Sequence, residues 1–307
     1  QTLDRIQFVS LRLCIGALIS TPTNILLRET GDAPLKIRRQ ALADRFLLKK
    51  ISCDKDIIPK QIEKIARMIV NNRYWSNKTL PILVNSFLNI NKSDVDIFMN
   101  SKIPYYNHTT YFYDIRQMIL PNIYLDNMNT NNVIIKNKEF EELIKNRWPD
   151  HLYIYTDGSR IENNVGCAFY IPKLNYKEQI KLVSQASIFT AELRAIQAAL
   201  KFVKSHSKDK VTIFSDSKAA LLAIKNTSYK SNNITLDIVS LLQDLFLSNI
   251  SIHLVWLKGH IDIYGNTTAD RLAKDACSLP YLTEEYKIIP ASDLKRYTKK
   301  LGLSSWQ

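Results

Sequence analysis

Apolar residues recur at helical spacing through the first hundred positions. Two or three short helices are predicted between Ile6 and Lys50, with breaks at Pro22 and at the turn-forming run ETGDAP. Two further amphipathic stretches, one after Pro59 and one over 80–99, begin near a proline, as helices often do. The first part of the chain is therefore predicted to be mostly α-helical.

The pattern changes after residue 100. No regular spacing of apolar residues holds over 101–138. A short helix EFEELIKNRW follows, and apolar and polar residues then alternate with a period of two. The predicted elements are strands at 151–157, 164–171, 178–186, 211–216 and 250–257, with helices at 190–205, 217–225, 234–248 and 267–276. Because short loops join the first three strands, they must run antiparallel. The expected fold class is α/β, with a mixed five-stranded sheet and flanking helices.

Four segments follow from these patterns. They are a mostly helical region 1–128, a linker with a short helix 129–147, an α/β domain 148–279, and a tail 280–307 with a weak helical pattern near Leu294. At 307 residues the chain is long enough for two domains, since single hydrophobic cores seldom extend much beyond about 250 residues.

The net charge of +13 and a pI near 9.4 favour a polyanionic partner. Nucleic acid is the natural one, although a lysine-rich and asparagine-rich composition also arises from coding bias. Residues 150–275 hold 15 basic and 12 acidic side chains, or +3, so most of the excess lies in the flanks. Binding of RNA by the helical first half is therefore a further possibility.

Two classes of site are disfavoured by composition. No apolar run reaches the roughly 18 residues that span a bilayer, so no membrane is expected as a partner. The four cysteines stand far apart without a C-x-x-C pair, which fits neither a zinc site nor a disulfide scaffold. Reduced thiols and an intracellular location, in the cytoplasm or nucleus, are expected.

Four acidic residues near the predicted strand ends each have an ordinary structural explanation. Asp157 begins an Asp-Gly pair typical of hairpin turns. Glu192 falls in the first turn of a helix that Thr190 could cap, and Asp216 could itself cap the next helix. Asp270, three residues after a threonine in NTTADRLAK, has the spacing of a capping box.

Together the four acids predict a metal site. All four could converge at one end of the sheet, where open α/β sheets bind ligands. Clustered carboxylates resist ionising together unless cations neutralise them, and oxygen ligands of this kind select Mg²⁺ or Mn²⁺. Two such ions suit phosphodiester hydrolysis.

The motifs YTDGS, TAELRAI, FSDSKAAL and WLKGHIDIYGNTTADRLAK resemble the type 1 ribonuclease H family, in the same order and over about 148–279. The resemblance implies a ribonuclease H-like fold and hydrolysis of the RNA strand of RNA·DNA hybrids with two Mg²⁺ ions, for which Mn²⁺ substitutes. It implies metal binding by the residues that match the family's acid set: Asp157, Glu192, Asp216 and Asp270.

Other site residues also follow from this resemblance. His260 in KGH matches the histidine that helps to protonate the leaving group or release product, a task suited to a near-neutral pKa. Asn266 falls where the family often places a substrate contact. The run SIFTAE lacks the asparagine pair that some bacterial members use, which leaves Ser187 and Thr190 as candidate substrate-binding residues.

An upstream stretch carries a second resemblance. The run LRLCIGALISTPTNILLRETGDAPLKIRRQALADRF is similar to the segment after the reverse transcriptase of jockey-like non-LTR retrotransposons. This implies the carboxy-terminal fragment of a retrotransposon polyprotein, covalently continuous with an upstream reverse transcriptase.

Two alternatives remain open at this point. The first is another nuclease or transposase with the same superfamily fold, which the spacing from KGH to Asp270 and the early Glu192 disfavour. The second is a catalytically silent module of an inactive element that binds nucleic acid without cutting it.

Overall fold

A computed structural model of the chain describes residues 2–52, 57–92, 96–97, 122–126, 137–206, 209–228, 231–259, 263–280 and 284–304. The chain divides into two compact units, one of Gln1–Met99 with Ala291–Gln307 and one of Asn100–Pro290. Much of the predicted linker region lies outside the described residues. No helix among the described residues is both long and apolar enough to cross a membrane.

The first unit is helical, as predicted. Its elements are α1 (Thr2–Ile15), α2 (Thr23–Thr30), α3 (Leu35–Ile51), α4 (Ile57–Val70), a 3₁₀ turn at Arg73–Trp75, α5 (Ile82–Asn91) and the short strand β1 (Asp96–Ile97). A proline directly precedes α2, α3 and α5, where its fixed φ favours entry into the helix. The weak pattern near Leu294 belongs to a final helix of this unit, α11 (Ala291–Ser304), which packs on α3 and buries Leu294.

The second unit holds one large sheet with helices around it. Its elements are β2 (Ile123–Tyr124), α6 (Asn137–Arg147), β3 (Leu152–Ile161), β4 (Asn164–Ile171), a 3₁₀ turn (Pro172–Leu174), β5 (Tyr176–Leu182), α7 (Ile188–His206), β6 (Lys210–Ser215), α8 (Lys218–Lys225), α9 (Asn233–Leu247), β7 (Ser251–Trp256), α10 (Tyr264–Ala276), a 3₁₀ turn (Glu284–Lys287) and β8 (Ile288–Ile289).

The sheet is mixed and has the order β2-β7-β6-β3-β4-β5. The pairs β3–β4 and β4–β5 are antiparallel, as their short connections require, and β3–β6, β6–β7 and β2–β7 are parallel. The mixed α/β prediction is confirmed, and its strand count is corrected from five to six. The added strand, β2, has only two residues and comes from a stretch with no readable period.

Two glycines set the distances between the sheet and its helices. A Cβ on Gly158 in β3 would lie 2.8 Å from the carbonyl carbon of Ala191 in α7, and one on Gly166 in β4 would lie 2.8 Å from the carbonyl oxygen of Ala273 in α10. Gly166 pairs with Ser159, the neighbour of Gly158, and successive residues of a strand face opposite sides. The helices α7 and α10 therefore pack on opposite faces of the sheet.

The core of this unit extends beyond the predicted α/β domain. Phe140 and Ile144 of α6, together with Trp148, are buried against Phe214 of β6 and Val255 of β7. The short helix predicted before the first strand is thus confirmed, and it covers apolar surface of the sheet.

Candidate active site

The first acid, Asp157, lies inside a strand. β3 continues to Ile161, and Asp157 pairs with Ala168 of β4. The chain turns five residues after Asp157, at Glu162, which takes a positive φ of 53°. The explanation of Asp157 as a turn residue is therefore wrong, because the Asp-Gly pair is extended backbone in the sheet.

Glu192 comes close to β3 because Gly158, the residue after Asp157 in that strand, has no side chain. A Cβ there would lie 2.6 Å from the Glu192 nitrogen. The helix α7 begins at Ile188, two residues earlier than predicted, and the hydroxyl of Ser187 accepts a hydrogen bond from the Thr190 N–H at 3.1 Å. Ser187 caps the helix in place of Thr190, and this sets Glu192 one turn into it.

Asp216, predicted as the last residue of its strand, directly follows β6, and it does not cap α8. The N-cap is Ser217, whose hydroxyl accepts from the Ala220 N–H at 3.4 Å. The carboxyl group of Asp216 is half-buried at the strand exit. Its presence there is not explained by the start of the helix.

Asp270 lies in the second turn of α10, which begins at Tyr264. Thr267 is also inside this helix, and its hydroxyl donates to the carbonyl oxygen of Ile263 at 2.9 Å. The predicted capping box is therefore wrong. The Asp270 carboxylate accepts from the ammonium of Lys274, one turn further along, at 2.6 Å.

Three of the four acids come together. Asp157, Glu192 and Asp216 each place a carboxylate oxygen within 4.8 Å of the others, and this is the one group of possible metal ligands among the described residues. Asp270 does not belong to that group, although its charge acts on Asp157. We call Asp157, Glu192 and Asp216 the acid cluster.

The electrostatics of the acid cluster oppose ionisation. Burial, and then the negative charges of Asp216 and Asp270, raise the pKa of Asp157 to about 8. Burial and the charges of Asp157 and Asp216 also raise the pKa of Glu192 well above its ordinary value, against the backbone hydrogen bond from Gly158. A cation bound in the cluster would offset both the cost of burying charged carboxylates and their mutual repulsion.

Buried polar atoms without a partner occur in the acid cluster and on the helix that carries Asp270. Among the described residues of this unit, the buried side-chain atoms without a hydrogen-bond partner are Glu192 Oε2 and Asn266 Oδ1. Leaving such atoms unpaired costs about 1–3 kcal/mol each. Divalent metals accept oxygen donors of both kinds, so the residues present fit a metal ion.

The other predicted site residues are less well defined. His260 lies outside the described residues. Ser187 and Thr190 are both buried, and the Ser187 hydroxyl donates to Thr190 Oγ1 at 3.1 Å, so both contribute to the start of α7. A contact with substrate stays a prediction for each of these residues and for Asn266.

Two residues near the acids escaped the sequence reasoning. Lys274 lies four residues after Asp270, a spacing that favours an ion pair on a helix, so its pairing was open to prediction. Gly158 was interpreted as part of a turn, although its function is to admit α7. A glycine within a strand pattern is itself a sign of close backbone approach.

Comparisons with known proteins agree with this geometry. The family model described as RNase H matches residues 149–278. Ribonuclease HI of Helicobacter pylori is 34% identical over 130 residues, which cover 39% of this chain and 89% of that protein. Ribonuclease H of Helicobacter acinonychis is 33% identical over 130 residues, with the same coverage, and ribonuclease HI of Rickettsia prowazekii is 33% identical over 135 residues, covering 39% of this chain and 86% of that protein. Through residues 149–278, the chain belongs to the ribonuclease H family.

Proposed function

We propose that this chain hydrolyses the RNA strand of RNA·DNA hybrids with two divalent cations, Mg²⁺ or, in its place, Mn²⁺. The observation that carries the proposal is the convergence of the buried Asp157 and Glu192 and the half-buried Asp216 within 4.8 Å, in a chain of the ribonuclease H family. We also propose that this activity is intracellular, in the cytoplasm or the nucleus.

The acids would hold the cations as follows. Glu192 offers a buried oxygen with no hydrogen-bond partner. Asp157 on β3 and Asp216, which directly follows the adjacent strand β6, lie beside it. Asp270 is proposed as the fourth ligand, and it would exchange its contact with Lys274 for a cation. When bound, two such ions polarise the scissile phosphate and lower the pKa of the attacking water.

The remaining predicted residues are assigned to proton transfer and substrate contact. His260 is proposed to deliver a proton to the leaving oxygen, a task for a side chain that titrates near neutral pH. Asn266, whose buried amide oxygen lacks a partner one helical turn before Asp270, is the better supported substrate contact. Ser187 and Thr190 already bond to each other, which leaves them weaker candidates.

Cleavage of a hybrid whose RNA and DNA strands carry different labels tests this proposal. The full chain would be incubated with Mg²⁺, with Mn²⁺ or with EDTA, and duplex DNA and duplex RNA of the same sequence serve as controls. We expect cation-dependent cutting of the RNA strand of the hybrid and of no other strand. A folded protein that binds the hybrid but leaves it intact with both cations would instead establish a silent binding module.

We further propose that the chain is part of a retrotransposon polyprotein, joined covalently to an upstream reverse transcriptase. The support is the resemblance of the stretch LRLCIG to ALADRF, which lies over α1 to α3 of the helical unit. The limits 1–128, 129–147, 148–279 and 280–307 are part of the same proposal. Sequencing the transcript upstream of Gln1 decides the matter, because a reading frame without a polymerase domain would contradict it.

A further inference from the structure

The end of β7 is hydrogen-bonded to the backbone at Asp216 and at the residue before it. Trp256, the last residue of β7, donates its indole Nε1–H to the Asp216 carbonyl oxygen at 3.0 Å. The same oxygen accepts the Lys218 N–H at 3.0 Å, and the Leu257 N–H donates to the Ser215 carbonyl oxygen at 3.0 Å. The exits of two adjacent parallel strands are therefore joined by side-chain and backbone hydrogen bonds.

The indole ring is held in the orientation that this bond requires. Trp256 pairs with Ser215 in the parallel ladder, which places its side chain beside the residue before Asp216. The ammonium of Lys218 lies 4.5 Å from the ring centroid, a cation–π contact. Three residues on, the chain passes the carboxylate so closely that a Cβ on Gly259 would lie 3.2 Å from Asp216 Oδ2.

We infer that Trp256 is a positioning residue that aims the Asp216 carboxylate at its cation, an inference that rests on the proposed function. Asp216 lies past the end of its strand and outside the following helix, so neither ladder fixes its backbone fully. The indole bond restrains the carbonyl, and with it the direction of the Cα–Cβ bond. Groups that orient a metal ligand from behind typically change metal affinity by about 10- to 100-fold when they are lost.

The chain contains a matched control for this residue. Trp148 also donates its indole Nε1–H to one acceptor, His253 Nδ1 at 3.1 Å, and a cation, the guanidinium of Arg147, lies 4.9 Å from its ring. Among the described residues, no hydrogen bond or ring contact joins it to the acid cluster. Replacing either tryptophan by phenylalanine removes one donor and keeps an aromatic ring.

The test compares Trp256→Phe and Trp148→Phe in the full chain. The readouts are the Mg²⁺ concentration that gives half of the maximal rise in Tm, and the Mg²⁺ dependence of hybrid cleavage. We expect Trp256→Phe to need about 10-fold more Mg²⁺ in both, with the maximal cleavage rate largely restored at saturation. Trp148→Phe should lower the metal-free Tm and leave the Mg²⁺ midpoint at the wild-type value.

A second measurement needs no folded variant of Trp256. In the wild-type protein labelled at its tryptophan indoles, the Trp256 N–H resonance should move on addition of Mg²⁺, while that of Trp148 should stay in place. A wild-type Mg²⁺ midpoint in Trp256→Phe, or an equal shift in both variants, would overturn the inference. A wild-type protein that shows no Mg²⁺ response at all would overturn the proposed function, and this inference with it.

Discussion

Two clusters of polar side chains lie beside the same sheet. In one, the side chains form hydrogen bonds with each other, and in the other they do not. In the histidine cluster, formed by Trp148, His151, Thr212 and His253, the groups bond to each other. The Trp148 indole donates to His253 Nδ1 at 3.1 Å, and His151 Nδ1 lies 2.9 Å from Thr212 Oγ1. In the acid cluster the carboxylates face each other, and Glu192 Oε2 is buried without a partner.

The difference indicates which cluster stabilises the fold and which awaits a ligand. Burial, and then the nearby His151 and Arg147, lower the pKa of His253 to about 4. The ring is therefore neutral at pH 7 and can accept a hydrogen bond from the indole N–H of Trp148. Burial raises the pKa of Asp157 to about 8, so its charged form is disfavoured unless a cation is supplied. The histidine cluster is complete within the protein, whereas the acid cluster retains an unpaired buried oxygen and mutual repulsion that the proposed cation would relieve.

The largest expected effect comes from removing one acid. Asp157→Asn keeps the size of the side chain and removes a negative ligand oxygen, so hybrid cleavage should fall by at least about a thousandfold. Binding of the hybrid should be unchanged or tighter, because one charge that repels phosphate is gone. Cleavage rates and gel-shift affinities measure the two effects separately.

The control is Asp209→Asn, the same change at an exposed acid just before β6, at the opposite end of the strand from Asp216. It should cut the hybrid at the wild-type rate. If Asp157→Asn retained substantial activity, the metal assignment would be wrong.

The same substitution should have the opposite effect on stability in EDTA. The Asp157 carboxyl has a pKa of 3.8 in its ordinary state and about 8 in the folded protein, so its contribution is fully present below pH 3.8 and is lost as the pH rises through 8. At pH 9 without metal, Asp157→Asn should be more stable than the wild type by about 2 kcal/mol. Urea unfolding from pH 5 to 9 measures this difference, and a wild-type protein without this decline would contradict the burial of an unpaired charge.

The histidine cluster should give the reverse dependence on pH. The pKa of His253 falls from 6.5 to about 4 on folding, so its contribution is present above pH 6.5 and is lost as the pH falls through 4. His253→Phe leaves the Trp148 indole without its acceptor and should cost about 1–2 kcal/mol of unfolding free energy at pH 7. That deficit should shrink towards pH 4, with the Mg²⁺ midpoint unchanged.

Removing both partners sharpens this prediction. In the double variant Trp148→Phe with His253→Phe the indole donor and its imidazole acceptor are both gone, so neither is left unpaired and part of the lost stability should return. Strict additivity of the two single changes in urea unfolding would mean that their hydrogen bond contributes nothing to stability.

The sequence identified the acids for reasons that differ from those the structure gives. Each acid had a local explanation, and each proved wrong. β3 runs past Asp157, and Ser187 in place of Thr190 caps α7, which has no acid in its first turn. Ser217 caps α8, and α10 starts before Thr267. Local patterns compete with tertiary packing at element boundaries. The expected convergence of the acids was the more reliable signal: three of the four come together, because the topology places β3, β6 and α7 side by side.

The elements missed by the sequence share a physical cause. The sixth strand, β2, has two residues, too few to show a period. It exists because β7 offers a parallel edge, 131 residues further along the chain. Gly158 was read as a turn because nothing local reports that a helix from another part of the chain must approach it. Periodicity predicted the long helices and strands well, because the spacing of apolar residues that defines a buried face can be seen within each element's own sequence.

The smallest expected effect concerns the cation that already lies beside the acids. Lys274 donates to Asp270 at 2.6 Å and opposes the rise in the pKa of Asp157. Both side chains of the ion pair are exposed, so Lys274→Met should change the unfolding free energy by less than about 0.5 kcal/mol. Without the ammonium, Asp270 keeps its full charge for a bound ion, and the Mg²⁺ midpoint for stabilisation should fall about two- to threefold. An unchanged midpoint would mean that Asp270 takes no part in binding the cation. The site would then consist of the three carboxylates that lie within 4.8 Å of one another, those of the acid cluster.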